Sequence, residues 1–101
     1  MQEREKDIEK WIGDQVMTMG CLWLKWTSPG NAGVPDRIVI LPGGRVVFAE
    51  IKTRYGKVAP IQEHTIGKMR EMGCSVHLVR GSTGAAVFVD WLRMAIGGRR
   101  S

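Results

Sequence analysis

Residues 36–52 read DRIVILPGGRVVFAEIK. Two runs rich in β-branched residues, "DRIVIL" and "RVVFAEIK", flank the turn Pro42-Gly43-Gly44, so the stretch is expected to form a β-hairpin. In the second run Glu50 and Lys52 stand two residues apart. Side chains at that spacing on a strand share a face. Burying both costs several kcal/mol unless they are paired or used. The hairpin also carries Asp36, at the start of its first strand, to the end that holds Glu50.

Adjacent carboxylates repel unless a cation lies between them, and hard oxygen ligands suit Mg²⁺ or Mn²⁺. Asp36 and Glu50 are therefore candidate metal ligands, with the Ile51 backbone carbonyl as a further one. Lys52, on the face of Glu50, is placed to orient or polarise an attacking water and to offset phosphate charge. Such a set is suited to metal-assisted phosphodiester hydrolysis.

Outward from the hairpin, Ile8, Ile12, Val16 and Met19 form one stripe of a helix expected over residues 2–19, closed by Gly20. "CLWLKW" (21–26) alternates as a strand, and "TSPGNAGVP" (27–35) is a loop. "TRYGKVAP" (53–60) reads as a flexible basic loop whose Pro60 suits an early helix position. A second helix over Ile61–Met72 ends at Gly73, "SVHLVR" (75–80) is a fourth strand, and residues 85–96 are a last helix. "GGRRS" (97–101) is expected to fray. The order α-β-β-β-α-β-α gives an α/β fold with a central four-stranded mixed sheet and helices on both sides.

The length of 101 residues has room for one domain, 1–101, with one modest core. Fifteen Lys and Arg against ten Asp and Glu leave a net charge of +5, which favours an anionic partner, most often nucleic acid. Cys21, Cys74, His64 and His77 lack the paired spacing of a zinc site, so reduced thiols in a cytoplasmic protein are expected. The charged N-terminus is no signal peptide, and no apolar run reaches the ~20 residues of a membrane span.

Pro35-Asp36 followed by Glu50-x-Lys52 resembles the signature of the PD-(D/E)XK nuclease superfamily. The longer stretch KWTSPGNAGVPDRIVILPGGRVVFAEIKTRYGKVAPIQ is similar to the virus-type replication–repair nuclease (VRR-NUC) domain, and the order of elements fits nearly the whole chain. The resemblance implies a restriction-endonuclease-like core and an Mg²⁺- or Mn²⁺-dependent DNA endonuclease without an organic cofactor. It implies Asp36 and Glu50 as metal-binding acids and Lys52 as the catalytic lysine. Gln62 matches the family's glutamine at the start of the following helix. Glu9 is the best match for an acid on the first helix, reaching the metal directly or through water, and Glu5, one turn earlier on the same face, is the alternative. Single-domain relatives imply a homodimer acting on branched DNA, four-way (Holliday) junctions included.

Several assignments stay open on the residues alone. Lys25, Ser28, Arg37, Arg54 and Lys57 are candidate DNA contacts, with solubilising charge as the rival reading. Trp11, Met17, Trp91 and Met94 are candidates for a dimer interface or for ordinary core. A catalytically inert DNA-binding module of the same fold is the alternative function. It would be expected to lack an acid or the lysine, and this sequence lacks neither.

Overall fold

The structure, a computed structural model, describes residues 3–97; the end of the GGRRS tail, 98–101, lies outside them. The elements are α1 (Glu5–Thr18), β1 (Leu22–Lys25), β2 (Arg37–Ile40), β3 (Val46–Lys52), α2 (Pro60–Glu71), β4 (Ser75–Arg80) and α3 (Gly81–Gly97). The strands lie side by side in the order β1-β2-β3-β4, antiparallel through β3 and parallel between β3 and β4. A parallel pair needs a crossover connection, and α2 supplies it. The mixed sheet and the element order agree with the sequence reading.

The pairing register sorts the side chains. Trp23, Val39 and Val47 stand opposite one another, as do Lys25, Arg37, Ala49 and His77 one step along. Directly opposed residues share a face. On this face Val39, Val47, Ala49, Ile51 and Val79 pack with Ile8, Ile12 and Val16 of α1 and Ala85, Phe88, Val89 and Leu92 of α3. Ile12 and Leu92 are wholly buried, and truncating either to Ala is expected to cost about 2–5 kcal/mol. Helix α1 approaches β1 so closely that a Cβ on Gly13 would lie 2.7 Å from the Trp23 ring.

The other face is covered less completely. Helix α2 packs on β4, where Ile66 and Val76 are buried and the Arg70 guanidinium donates to the Val76 carbonyl. Leu22, Leu24 and Val46 remain exposed toward the β1 edge. Glu50 and Lys52 belong to this second face, at the end of β3 nearest the start of α2.

Two boundaries differ from the sequence reading by more than one residue. Helix α3 begins at Gly81, four residues before the expected Ala85, because Gly81 takes a positive φ of 61° and turns the chain straight out of β4. The Glu3 carboxylate accepts from the Ser82 N–H at 3.1 and 3.2 Å, satisfying one of the helix's open donors. Glu3 therefore lies outside α1, which begins at Glu5 rather than residue 2. Cys21 and Cys74 are both free thiols, and no helix among the described residues is long and apolar enough to cross a membrane.

Candidate active site

The extension of β2 by one residue places Asp36 beside Glu50, since Arg37 is already paired with Ala49. The Asp36 N–H donates to Glu50 Oε1 at 3.2 Å. Glu50 is only 1% exposed, the one buried charged residue of the described chain. Its other oxygen, Oε2, accepts from Gln62 Nε2 at 2.9 Å and lies 3.2 Å from Lys52 Nζ. Three donors thus hold this carboxylate, and the apolar strand accommodates its charge by pairing it on its own face.

Gln62 is itself oriented by the start of α2. Its Oε1 accepts from the Ala59 N–H at 3.1 Å, the helix-start half of a capping box, which turns the amide NH₂ toward Glu50. Helix capping and contact with the site, rival readings of the sequence, are one arrangement here. The loop 27–35 packs against the same helix end. Thr65 donates to the Ala32 carbonyl at 3.1 Å, and a Cβ on Gly33 would fall 2.4 Å from the Ile61 carbonyl oxygen. Gly33 also has φ of 89°, so the close approach needs glycine twice over.

On the other side of Asp36 lies helix α1. Carboxylate oxygens of Glu5, Glu9 and Asp36 all fall within 4.8 Å of one another. Glu5 and Glu9 are four residues apart and so share a helix face. The structure brings both to Asp36 rather than choosing between them. Glu9 Oε2 also accepts from Arg37 Nη2 at 2.9 Å, each side chain being 17% exposed. Arg37, one of the expected DNA contacts, is thereby committed to the protein's own acid, its guanidinium stacked 4.9 Å over Trp23 and its Nε buried without a partner. The signal was present in the sequence. Strand neighbours point to opposite faces, and Arg37 follows Asp36 directly.

Burial, and then charge repulsion, raise the proton affinity at the centre. Burial raises the Asp36 pKa, and the Glu9 charge raises it further, against lowering by Lys52, the Glu50 hydrogen bond and Lys25. Burial and then Asp36 raise Glu50, against Lys52 and Gln62. Glu5 is raised by burial and by Asp36 in the same way. The donor set is all oxygen, anionic and short of compensating charge, which fits a hard divalent cation. A cation bound at about 2.1 Å spans ligand oxygens up to about 4.2 Å apart, close to the scale of the Glu5–Glu9–Asp36 group. Ile51 lies between Glu50 and Lys52 in β3.

The remaining basic candidates ring this centre unevenly. Lys25 is exposed at the end of β1, close enough to act on Asp36. Ser28 is engaged with Asn31, its hydroxyl accepting at 3.1 Å and its carbonyl at 3.0 Å. Arg54 and Lys57 are exposed on the connection between β3 and α2. His64 is exposed on α2. His77 packs with Phe88 and Trp91 at 5.1 and 4.3 Å on the α3 face of the sheet.

No protein-family model matches the chain. Over 73 residues the chain is 38% identical to the "Putative nuclease p44" of Acyrthosiphon pisum secondary endosymbiont phage 1, a match covering 72% of this chain and 78% of the phage protein. Its fold is similar to that of a solved "VRR_NUC domain", with a TM-score of 0.70 and 26% identity across 95% of this chain and 97% of that one.

Proposed function

The chain belongs to the VRR-NUC family of nuclease domains, and on that footing we propose that it is an Mg²⁺- or Mn²⁺-dependent DNA endonuclease. The observation that carries the reading is the convergence on Asp36. Glu50 is held on one side of it by Lys52 and Gln62, and Glu5 and Glu9 stand on the other. Structural ion pairs do not gather four carboxylates around so few cations, three of them (Asp36, Glu50 and Glu5) with raised proton affinity.

In this reading Asp36, Glu50 and the Ile51 carbonyl would hold the cation, and Glu9 would join directly or through water, with Glu5 on the same helix face. The cation supplies Lewis acidity and charge neutralisation at the scissile phosphate. Lys52 orients the attacking water with its ammonium and adds positive charge where the phosphate becomes more negative. Gln62 fixes the rotamer of Glu50, and Arg37 fixes that of Glu9. Lys25, Ser28, Arg54 and Lys57 are the proposed backbone contacts, which give salt-dependent affinity.

The chain is further proposed to act as a homodimer on branched DNA, four-way junctions included, because a two-fold pair of sites suits a substrate of near two-fold symmetry. Trp11, Met17 and Met94 are exposed and available to an interface, whereas Trp91 is half-buried against His77. The test is a cleavage panel of linear, flapped and four-way DNA with Mg²⁺, Mn²⁺ or chelator, alongside light scattering. Metal-dependent cutting by a species of about twice 11.3 kDa is expected. DNA binding without cutting in any metal would leave the inert module, and a monomer that ignores junctions would remove the dimer and keep the nuclease.

A further inference from the structure

Residues 53–59 join β3 to α2 directly beyond Lys52, and Tyr55 stands on this connection 83% exposed. A phenol ring left in water is not unusual by itself. What sets Tyr55 apart is the support beneath it. The Gly56 N–H donates to the Thr53 carbonyl at 3.1 Å, closing a turn around Arg54 and Tyr55. Arg80 of β4 donates to the Gly56 carbonyl and ties that turn to the sheet edge. The loop reads as flexible in the sequence, yet in the structure it is pinned at its base and presents the ring outward.

The ring has one face engaged and a cleft beside it. The Arg54 guanidinium lies 5.3 Å from the ring centroid. An open cleft of about 870 Å³ is lined by Tyr55 with Thr53, Arg54, Arg80 and Thr83, and Glu3 forms one wall. Two guanidinium groups favour a backbone phosphate, and the Glu3 carboxylate keeps phosphate off its own wall. An aromatic ring paired with arginine is the combination that takes a nucleobase by stacking and its phosphate by charge. Because the turn is already ordered, little conformational freedom is lost on stacking.

Position narrows the ligand further. Tyr55 is three residues past Lys52, at most about 11 Å of chain, or about three base steps at 3.4 Å each. A base inside a duplex has both faces covered by its neighbours, so only an unstacked base can meet the ring.

We propose that Tyr55 determines substrate specificity: its ring stacks on an unpaired nucleobase beside the cleaved bond, while Arg54 takes the adjoining phosphate. The inference rests on the nuclease reading above and names the DNA feature that its site selects. Selection for branched DNA then arises from the splayed strand at the branch.

The full chain, wild type and with Tyr55→Ala or Tyr55→Phe, is to be compared on a paired duplex and on the same duplex with a single-stranded flap. The flap carries 2-aminopurine near the cut as a fluorescent stacking probe. Tyr55→Ala is expected to weaken flap binding about 5- to 100-fold, the worth of one base–aromatic stack, with the loss appearing in KM rather than kcat. Quenching of the probe should disappear with it, and Tyr55→Phe should restore both. Equal losses on duplex and flap, unchanged flap affinity, or quenching that survives in Tyr55→Ala would overturn the proposal. A wild type that neither binds nor cuts any DNA would defeat the nuclease reading first. A wild type that cuts but is indifferent to Tyr55→Ala would defeat this inference alone.

Discussion

The Glu50 carboxylate and the Glu5–Glu9–Asp36 group meet at Asp36, and the fold treats them in opposite ways. Glu50 is enclosed and held by three donors, from Asp36, Gln62 and Lys52. The other group places three acids together with Arg37 as the one directly paired cation among the described residues, Lys52 and Lys25 acting only through their fields. Glu50 therefore has its geometry fixed before any cation arrives. The α1 side has charge to be neutralised and little else to neutralise it. In the proposed enzyme, β3 supplies position and α1 supplies the excess negative potential.

Asp36 belongs to both regions, so its loss should have the largest effect. Asp36→Asn is expected to lower cleavage at least about a thousandfold and to abolish Mn²⁺ binding by calorimetry. In chelator the same variant should melt higher than wild type at neutral pH. The sign follows from the raised pKa values of Asp36, Glu50 and Glu5. A carboxyl that binds its proton more tightly when folded favours the folded state at low pH. That stability is lost as pH rises from the ordinary carboxylate range through the raised value. Melts of the metal-free wild type should therefore fall across that window, and Asp36→Asn should flatten the fall. A metal-free wild type that gains stability there would mean that the acids are already compensated.

Lys52→Met separates the two sides. It removes the ammonium from Glu50 but leaves the α1 acids in place, so Mn²⁺ binding should persist while single-turnover cleavage drops by about 10²–10⁴. Thermal stability should fall by about 1–3 kcal/mol, because buried Glu50 loses its charged partner and keeps only the Asp36 N–H and the Gln62 amide. Metal binding lost together with activity would make Lys52 structural. Gln62→Ala is a weaker perturbation of the same carboxylate, expected to cost about 10- to 100-fold in cleavage or metal affinity by releasing its orientation. If Gln62→Ala matches Lys52→Met in its effect on chemistry, Gln62 acts on the substrate itself.

Much of the β3 side was legible in the sequence because it obeys a period of two. The β-branched runs DRIVIL and RVVFAEIK around the Pro42-Gly43-Gly44 turn set the hairpin, the hairpin set Asp36 beside Glu50, and Pro60 marked the start of α2 so that Gln62 fell near the strand end. The α1 side was less legible, since periodicity gives a helix face but not its height over the sheet. Glu5 and Glu9 share that face, and no local pattern says whether one or both reach Asp36. Arg37 carries the same lesson in reverse. Its charge suggested DNA, while its strand position aimed it at Glu9 and Trp23. The early start of α3 is supported by Glu3, which lies 79 residues from Ser82 in the chain, a distance that no local pattern can read.

The smallest effects should come from the two α1 acids, and they divide the region itself. Glu9 is half-buried and paired with Arg37, whose Nε already lacks a partner. Glu9→Gln replaces a charged acceptor with a neutral one, so the guanidinium is left short of compensation, and a stability loss of about 1–3 kcal/mol is expected. Glu5 is exposed, forms none of the described ion pairs and is repelled by Asp36. Glu5→Gln should therefore leave the metal-free protein as stable as wild type or slightly more stable. Both should weaken Mn²⁺ binding, Glu9→Gln by about tenfold and Glu5→Gln by less, because an acid whose rotamer is fixed by a hydrogen bond is the better ligand. Calorimetric titration with Mn²⁺ and melts in chelator, run on both variants, give the two readouts. If Glu5→Gln costs more metal affinity than Glu9→Gln, Glu5 is the ligand and Glu9 serves to hold Arg37 against the sheet.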